Sequence, residues 1–268
     1  MKNTFGFIGT GNMGGALATA AAKTMPQSNI LLSNRTQEKA EALAKTLGCR
    51  AVSVETVAAE AGFVFLGVKP QMMAGLLGQL APVFSARKDE FVLVSMAAGL
   101  TIADIQKMAG GNYPVIRIMP NTPVAVGSGV ILYDASENVE QETLALFCEN
   151  LGAAGMLDRL PEKLIDAGSA IAGCGPAFAC LFLEALADGA VACGLPRDKA
   201  LIYGEQMLLG TAKLALESGQ HPGKLKDAVC SPGGSTIAGV GALEQGNFRG
   251  STMAAVEAAF KRTKELGK

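Results

Sequence analysis

The sequence predicts an α/β protein in two parts: a doubly wound parallel sheet over residues 1–158 and an all-helical domain over residues 159–268. Three observations carry this. Strand and helix patterns alternate from Thr4 to about Leu157, strand signals cease around Arg159-Leu160-Pro161-Glu162, and the first strand-to-helix turn reads Gly9-Thr10-Gly11-Asn12-Met13-Gly14. Alternating β and α patterns make parallel sheets, because strands that run the same way need a crossover connection, usually a helix.

The opening stretch organises the rest. An apolar run ending at Ile8 passes into Gly9-Thr10-Gly11, and an Ala-rich helical pattern continues to about Met25, stopped by Pro26. Gly9 allows a tight turn, Gly11 lets a pyrophosphate approach the backbone, and Gly14 lets the helix lie close to the strand. Free N–H groups at the helix start then face an anion. Thr10, Asn12 and Met13 complete this candidate dinucleotide site; an ordinary Gly-rich βα turn is the bland alternative. The Rossmann-type context is strengthened by a second strand at Asn29–Ser33. That strand ends in Ser33-Asn34-Arg35, where an NAD site usually places Asp or Glu for the ribose 2′-hydroxyl. A carboxylate would repel a 2′-phosphate and Arg35 would attract it, so the expected cofactor is NADP, with NADPH preferred over NADH.

The elements then follow in order. Thr36 is expected to cap a helix to Leu47 with Gly48 as its stop, followed by a short strand near Arg50–Val52 and a short helix over Val54–Ala61. Phe63–Val68 is apolar on both faces, as a central parallel strand should be. Pro70 disfavours helical geometry at Lys69, so Val68, Lys69 and Pro70 sit at a strand's carboxyl end, where ligands bind in open α/β sheets. A helix over Gln71–Phe84 leads to the strand Phe91–Ser95, and Ala97 lies among small residues that leave room at its end. A further helix starts at Ile102, and the strand Val115–Ile118 runs into Met119-Pro120-Asn121-Thr122-Pro123. The two prolines should make a rigid loop whose Asn121 can meet a nicotinamide ring. A strand at Val130–Tyr133, a helix over Glu137–Leu151 and a strand at Ala154–Leu157 close the first domain.

What remains reads as helices: Glu162 to about Ile171, Pro176–Cys193, Arg197–Ser218, a short one near Gly223–Val229, Thr236–Gln245 and Phe248–Leu266. The Pro176 helix is apolar almost all round and must be covered on every side. Few helices of its own domain are available, so a partner subunit is expected to cover it. The segment Ser231-Pro232-Gly233-Gly234-Ser235-Thr236 places two glycines and two hydroxyl residues before a helix, a pattern suited to holding a carboxylate on backbone N–H groups. A capped inter-helix loop is the plain alternative.

Bulk properties narrow the function classes. The chain has 268 residues, 49% of them hydrophobic and 18% charged, with 23 basic and 24 acidic side chains. A mean hydropathy of +0.30 points to buried subunit surfaces, since the longest uncharged run, Ala167–Leu183, is short for a membrane span and interrupted by Gly and Pro. No basic cluster suggests nucleic acid. Six cysteines without a CxxC pair and a single histidine, His221, argue against a metal site or disulfide frame. With no signal peptide pattern, the cytoplasm is the default expectation.

Taken together the motifs resemble the pyrroline-5-carboxylate reductases. The resemblance runs through Gly6-Phe7-Ile8-Gly9-x-Gly11-x-Met13, Val68-Lys69-Pro70, Met119-Pro120-Asn121-Thr122-Pro123, Gly173-x-Gly175-Pro176-Ala177, and His221-Pro222-Gly223-x-Leu225-Lys226-Asp227 through Ser231-Pro232-Gly233-Gly234-x-Thr236-Ile237. It implies NAD(P)H-dependent reduction of 1-pyrroline-5-carboxylate to L-proline, the last step of proline biosynthesis. It further implies a substrate carboxylate on the amides of Gly233, Gly234 and Ser235, the ring nitrogen at the hydroxyl of Thr236, and Glu162 at a substrate-side acidic position. A homodimer through the helical domain, and often a larger ring of dimers, is implied as well. Val54 and Ala228 depart from the Asn usual at both places. Two rival readings are a β-hydroxyacid dehydrogenase, whose catalytic Lys has no counterpart after Gly175-Pro176, and a non-catalytic dinucleotide sensor, which would leave the Ser231–Thr236 loop unexplained.

Overall fold

A computed structural model describes residues 1–266; the last two residues of the expected helical domain, 267 and 268, lie outside the described residues. By packing, the chain divides into a sheet unit, Met1–Cys174 together with the chain from Ala259, and a helical unit, Gly175–Ala258.

In the sheet unit the elements alternate: β1 (Phe5–Ile8), α1 (Asn12–Ala21), β2 (Ile30–Ser33), α2 (Gln37–Leu47), β3 (Arg50–Ala51), α3 (Val54–Glu60), β4 (Phe63–Leu66), α4 (Pro70–Ala86), β5 (Val92–Ser95), α5 (Ile102–Ala109), β6 (Val115–Pro120), β7 (Gly129–Ala135), α6 (Gln141–Leu151), β8 (Gly155–Arg159) and α7 (Glu162–Ala172). The eight strands lie in the order β3-β2-β1-β4-β5-β6-β7-β8. Every neighbouring pair is parallel except β6 and β7, which are joined through the short loop after Asn121 and run antiparallel. Successive strands build outwards from β1 in one direction and from β4 in the other, so the order reverses between β1 and β4. The crevice at their carboxyl ends is where such sheets bind ligands.

Two-residue periodicity sends alternate side chains to opposite faces. Phe5, Phe7, Phe63 and Phe65 are buried on one face with Leu17, Ile30 and Phe147; Phe7 and Phe65 stack with ring centroids 4.3 Å apart. Ile8, Val64, Leu66, Met73, Leu77 and Phe84 fill the other. Gly6 faces this second layer, and a Cβ there would lie 2.5 Å from Val57 Cγ1, so α3 rests almost directly on β1. Arg87 ties down the periphery: its Nη1 donates to the Ala58 and Ala61 carbonyls at 2.7 and 2.8 Å, capping α3, while Nε and Nη2 donate to the two oxygens of Asp89.

Local differences from the sequence-based reading have local causes. The first helix stops at Ala21 and not near Met25, because the Thr24 hydroxyl donates to the Ala21 and Asn150 carbonyls and unwinds the turn before Pro26. Helix α6 begins at Gln141 and not Glu137, since Ser136-Glu137-Asn138-Val139 forms a turn with Val139 N–H donating to the Ser136 carbonyl. Thr36 occupies the cap position of α2 without a side-chain cap; instead Asn34 Nδ2 donates to the Thr36 carbonyl.

The helical unit comprises α8 (Gly175–Ala192), α9 (Arg197–Ser218), α10 (Pro222–Ala228), α11 (Ser235–Gln245) and the greater part of α12 (Phe248–Leu266). Helix α8 packs on α9, and Phe182 meets Phe248 with ring centroids 5.7 Å apart. Within this unit only Ala187 and Ala200 are buried. The stretch Glu162–Ala192 is long enough for a membrane span, and an 18-residue window of it has a mean hydropathy of 1.7. It is, however, two helices broken at Gly173-Cys174, with Glu162, Lys163, Asp166, Glu184 and Asp188 along it.

Candidate active site

The turn between β1 and α1 is shaped by its glycines. Gly9 has φ of +103°, and a Cβ on it would strike the Gly67 carbonyl oxygen; its N–H donates to the Ser33 carbonyl at 2.8 Å. The turn is thereby stitched to the ends of β2 and β4. A Cβ on Gly14 would strike the Gly9 carbonyl oxygen, so glycine there sets the close approach of α1 to β1. Gly11 differs: a Cβ on it would meet no protein atom within 4 Å, so its smallness serves something other than protein packing. Gly11 caps α1 without any side-chain hydrogen bond, and among the described residues the buried Thr10 Oγ1 has no partner. Uncapped helix N–H groups, a cleared approach and an orphaned hydroxyl together fit a dinucleotide pyrophosphate.

Around this turn the sheet unit gathers the other expected cofactor residues at strand ends. Ser33, buried, ends β2; Asn34 is half-buried and Arg35 exposed just beyond it, and among the described residues Arg35 makes no ion pair. Lys69 caps α4 in extended geometry, φ −65° and ψ 148°, with Pro70 as the first helical residue and Val68 partly buried before it. Ala97 is buried after β5, its N–H donating to Ser95 Oγ at 3.4 Å.

Asn121 and Glu162 are held by protein groups. Asn121 is buried; its Nδ2 donates to the Ala172 carbonyl at 3.0 Å and its Oδ1 accepts from Val130 N–H at 2.8 Å, fastening the end of β6 to β7 and to the last turn of α7. Glu162 Oε1 accepts from Ile102 N–H at 2.7 Å and faces Arg117 Nη1 at 3.5 Å, while Glu162 N–H donates to Asp134 Oδ2 at 2.7 Å. Arg117 Nη2 donates to Asp166 Oδ1 at 2.5 Å. Sequence reading passed over Arg117. The signal was available: a lone cation inside the apolar strand Val115-Ile116-Arg117-Ile118 needs a buried counter-charge, and Glu162 and Asp166 are one helical turn apart.

The second candidate region lies within the helical unit. Helix α10 ends at Ala228, Cys230 N–H donates to the Asp227 carbonyl, and the chain turns through Gly233, φ +69°, into Gly234, which caps α11 with no side-chain hydrogen bond. A Cβ on Gly234 would strike Ser231 Oγ. Ser235 and Thr236 are the first two residues of α11, both exposed, so the helix starts one residue earlier than expected and its leading N–H groups have no local side-chain acceptor. Upstream, His221 Nδ1 accepts from Gly223 N–H at 3.1 Å and caps α10, a structural task for the single histidine. Asp227 beside Lys226 pushes the Lys226 ammonium pKa up, chiefly through the 2.6 Å hydrogen bond.

Comparison with known proteins bears on both regions. Residues 162–266 match the family model for pyrroline-5-carboxylate reductase dimerisation, and residues 4–99 match the model for NADP oxidoreductase, coenzyme F420-dependent. A pyrroline-5-carboxylate reductase of Pisum sativum is 41% identical over 98% of this chain and 96% of its own length. The crystal structure of a Plasmodium falciparum pyrroline carboxylate reductase with NADP bound superposes with a TM-score of 0.89 at 31% identity, covering 99% of this chain and 98% of that one. A pyrroline-5-carboxylate reductase structure from Coxiella burnetii does so with the same TM-score at 32% identity, over 99% and 98% of the two chains.

Proposed function

The chain belongs to the pyrroline-5-carboxylate reductase family, and from that premise we propose how its residues perform the reaction. The enzyme reduces the cyclic imine 1-pyrroline-5-carboxylate to L-proline at the expense of a nicotinamide cofactor, which when bound supplies hydride from nicotinamide C4.

The Gly9–Met13 turn and the start of α1 hold the pyrophosphate, Ser33, Asn34 and Arg35 take the adenosine ribose side, and Val68, Lys69, Pro70 and Ala97 line the remainder, while Asn121, its amide engaged by Ala172 and Val130, braces the end of β6. The preference is for NADPH: no carboxylate follows β2, and Arg35 is exposed there to meet a 2′-phosphate. The substrate carboxylate lies on the N–H groups of Gly233, Gly234 and Ser235. The observation that carries this reading is the uncapped start of α11 behind the left-handed Gly233. Thr236, the second residue of α11, then offers its hydroxyl to the ring nitrogen. As hydride adds to the imine carbon the C=N electron pair moves onto nitrogen, so a donor at nitrogen stabilises the transition state. A threonine hydroxyl is too weak an acid to be the proton's ultimate source; Thr236 orients and polarises, and the proton arrives with an iminium substrate or through water.

The match to the dimerisation model supports a homo-oligomer; we read a homodimer formed through the helical region, repeated in a larger ring, in the cytoplasm. The division expected from the sequence, 1–158 for dinucleotide and 159–268 for substrate and dimerisation, is supported by the dimerisation match from residue 162, whereas by packing α7 and the chain from Ala259 group with the sheet unit.

The test is NADPH oxidation with racemic pyrroline-5-carboxylate, repeated with NADH. Thr236→Ala should lower kcat about a hundredfold with cofactor binding retained. Arg35→Ala should reduce the NADPH-to-NADH ratio of kcat/KM by about tenfold or more. A Thr236→Ala enzyme of undiminished kcat would refute the role given to that hydroxyl, and an unchanged ratio would refute the role of Arg35.

A further inference from the structure

The charged side chains Arg117, Glu162 and Asp166 form one connected group within the sheet unit, joined to the start of α5. Arg117 is 2% exposed in mid-strand, its Nη1 faces Glu162, its Nη2 donates to Asp166, and among the described residues its buried Nε has no partner. Glu162 is gripped twice, at its carboxylate by Arg117 and at its N–H by Asp134 of β7. Helix caps are ordinarily local, and α5 has a local one: Thr101 Oγ1 accepts from Asp104 N–H, and Asp104 Oδ2 from Thr101 N–H. The next orphan donor, Ile102 N–H, goes instead to Glu162, sixty residues further along the chain. That bond fixes one end of the turn Met96–Leu100, whose other end is held by Ser95 Oγ on Ala97 N–H. Gly99, φ +77°, provides the bend between them.

We propose that Glu162 is a positioning residue: held by Arg117, its carboxylate anchors the Ile102 N–H and so fixes the Ala97-bearing turn against which the cofactor lies. This rests on the reading of Ala97 as a cofactor contact. It assigns Glu162 a task on the cofactor side in place of a direct contact with the imine. The carboxylate acts here as a hydrogen-bond acceptor that Arg117 orients, and an amide oxygen can accept the same bond. A residue binding a cationic or protonated substrate group would need the charge itself.

The experiment compares Glu162→Gln, Glu162→Ala and Ile102→Pro by KM for NADPH, KM for pyrroline-5-carboxylate and kcat, each across pH. Proline removes the N–H that Glu162 accepts and also replaces the buried Ile102 side chain, so Ile102→Ala, which keeps the N–H, is run beside it and should leave KM for NADPH near the parent value. Proline is tolerated at the first position of a helix, and Thr101, φ −86° and ψ 165°, already has the extended geometry that a following proline demands. Glu162→Gln should keep KM for NADPH within about threefold of the parent, since it keeps the acceptor for Ile102 N–H. Glu162→Ala and Ile102→Pro should each raise KM for NADPH about tenfold, leave KM for the imine nearly unchanged, and be non-additive when combined. Should Glu162→Ala fail to fold, Ile102→Pro and Glu162→Gln still decide the matter. The proposal is overturned if Glu162→Gln raises KM for the imine and alters its pH profile, or if Ile102→Pro leaves KM for NADPH unchanged. Parent turnover in the same assay separates these failures from a failure of the enzyme assignment.

Discussion

The sheet unit and the helical unit handle apolar side chains in opposite ways. In the sheet unit β1, β2, β4, β5 and β6 are buried at every residue, and two side-chain layers close both faces. In the helical unit Leu181, Leu209, Leu216 and Met253 are 68%, 63%, 83% and 65% exposed. A single chain therefore completes one core and leaves the other open, and the open one coincides with the region that matches a dimerisation model. The sheet unit encodes its packing within itself, while the helical unit leaves apolar side chains uncovered by its own chain, the surface that the proposed homodimer would cover.

The sharpest way to break this contrast is to charge the open surface. Leu181→Asp on α8 should cost about 2 kcal/mol or more in each copy, counted twice by symmetry, and weaken association by about a thousandfold. Sedimentation velocity should show monomer with loss of turnover; an assembly of unchanged size and activity would mean that α8 lies outside the interface. A smaller effect is expected inside the sheet unit. Gly14→Ala drives a Cβ at the Gly9 carbonyl and should lower stability by about 1–3 kcal/mol, with weaker NADPH binding and an unchanged oligomer. Thermal unfolding with and without cofactor measures it, and dissociation of the oligomer would show the two units to be less separable than their packing suggests.

The smallest effect concerns the rim of the sheet unit, where hydrogen bonds from Arg87, joined by Lys2, hold the Asp89 carboxyl well below the usual carboxylate range. A depressed folded-state pKa contributes stability that is fully present above the unfolded value, about 3.9, and is lost as pH falls through the folded one. Asp89→Asn should thus cost about 1 kcal/mol or less at pH 7, since the pair is partly exposed, and that difference should shrink below about pH 4. Chemical denaturation at pH 7 and pH 3 tests the sign; a difference that grows in acid would contradict it.

How much of this was legible in advance varies with range. Gly9 and Gly14 were readable because a missing Cβ has a local geometric meaning at fixed spacing, and the structure gives both a steric reason, whereas a Cβ on Gly11 would meet no protein atom within 4 Å. The strand at Phe63 and the helix start at Ile102 were readable from patterning, while the helix expected over Gln71–Phe84 runs from Pro70 to Ala86. The fate of Asn121 was not: its motif suggested a polar group presented to a ligand, whereas its amide bonds Val130 and Ala172, nine and fifty-one residues away. Glu162 and Arg117 show the same limitation, since a long-range counter-charge is visible in a sequence only as two separate oddities.

By itself the sequence determined the order of elements, the tight glycine turn after β1, the change from strands to helices near Pro161 and the apolar character of the helices that follow, because these follow from residue periodicity, steric size and capping chemistry within a few residues. Only the tertiary structure decided which way β7 runs, that Arg117 gathers Glu162 and Asp166, and that the end of β6 is fastened to α7 through Asn121. Those features depend on distances between segments far apart in the chain. Such distances are set by the packing of the whole sheet and not by any one stretch of it.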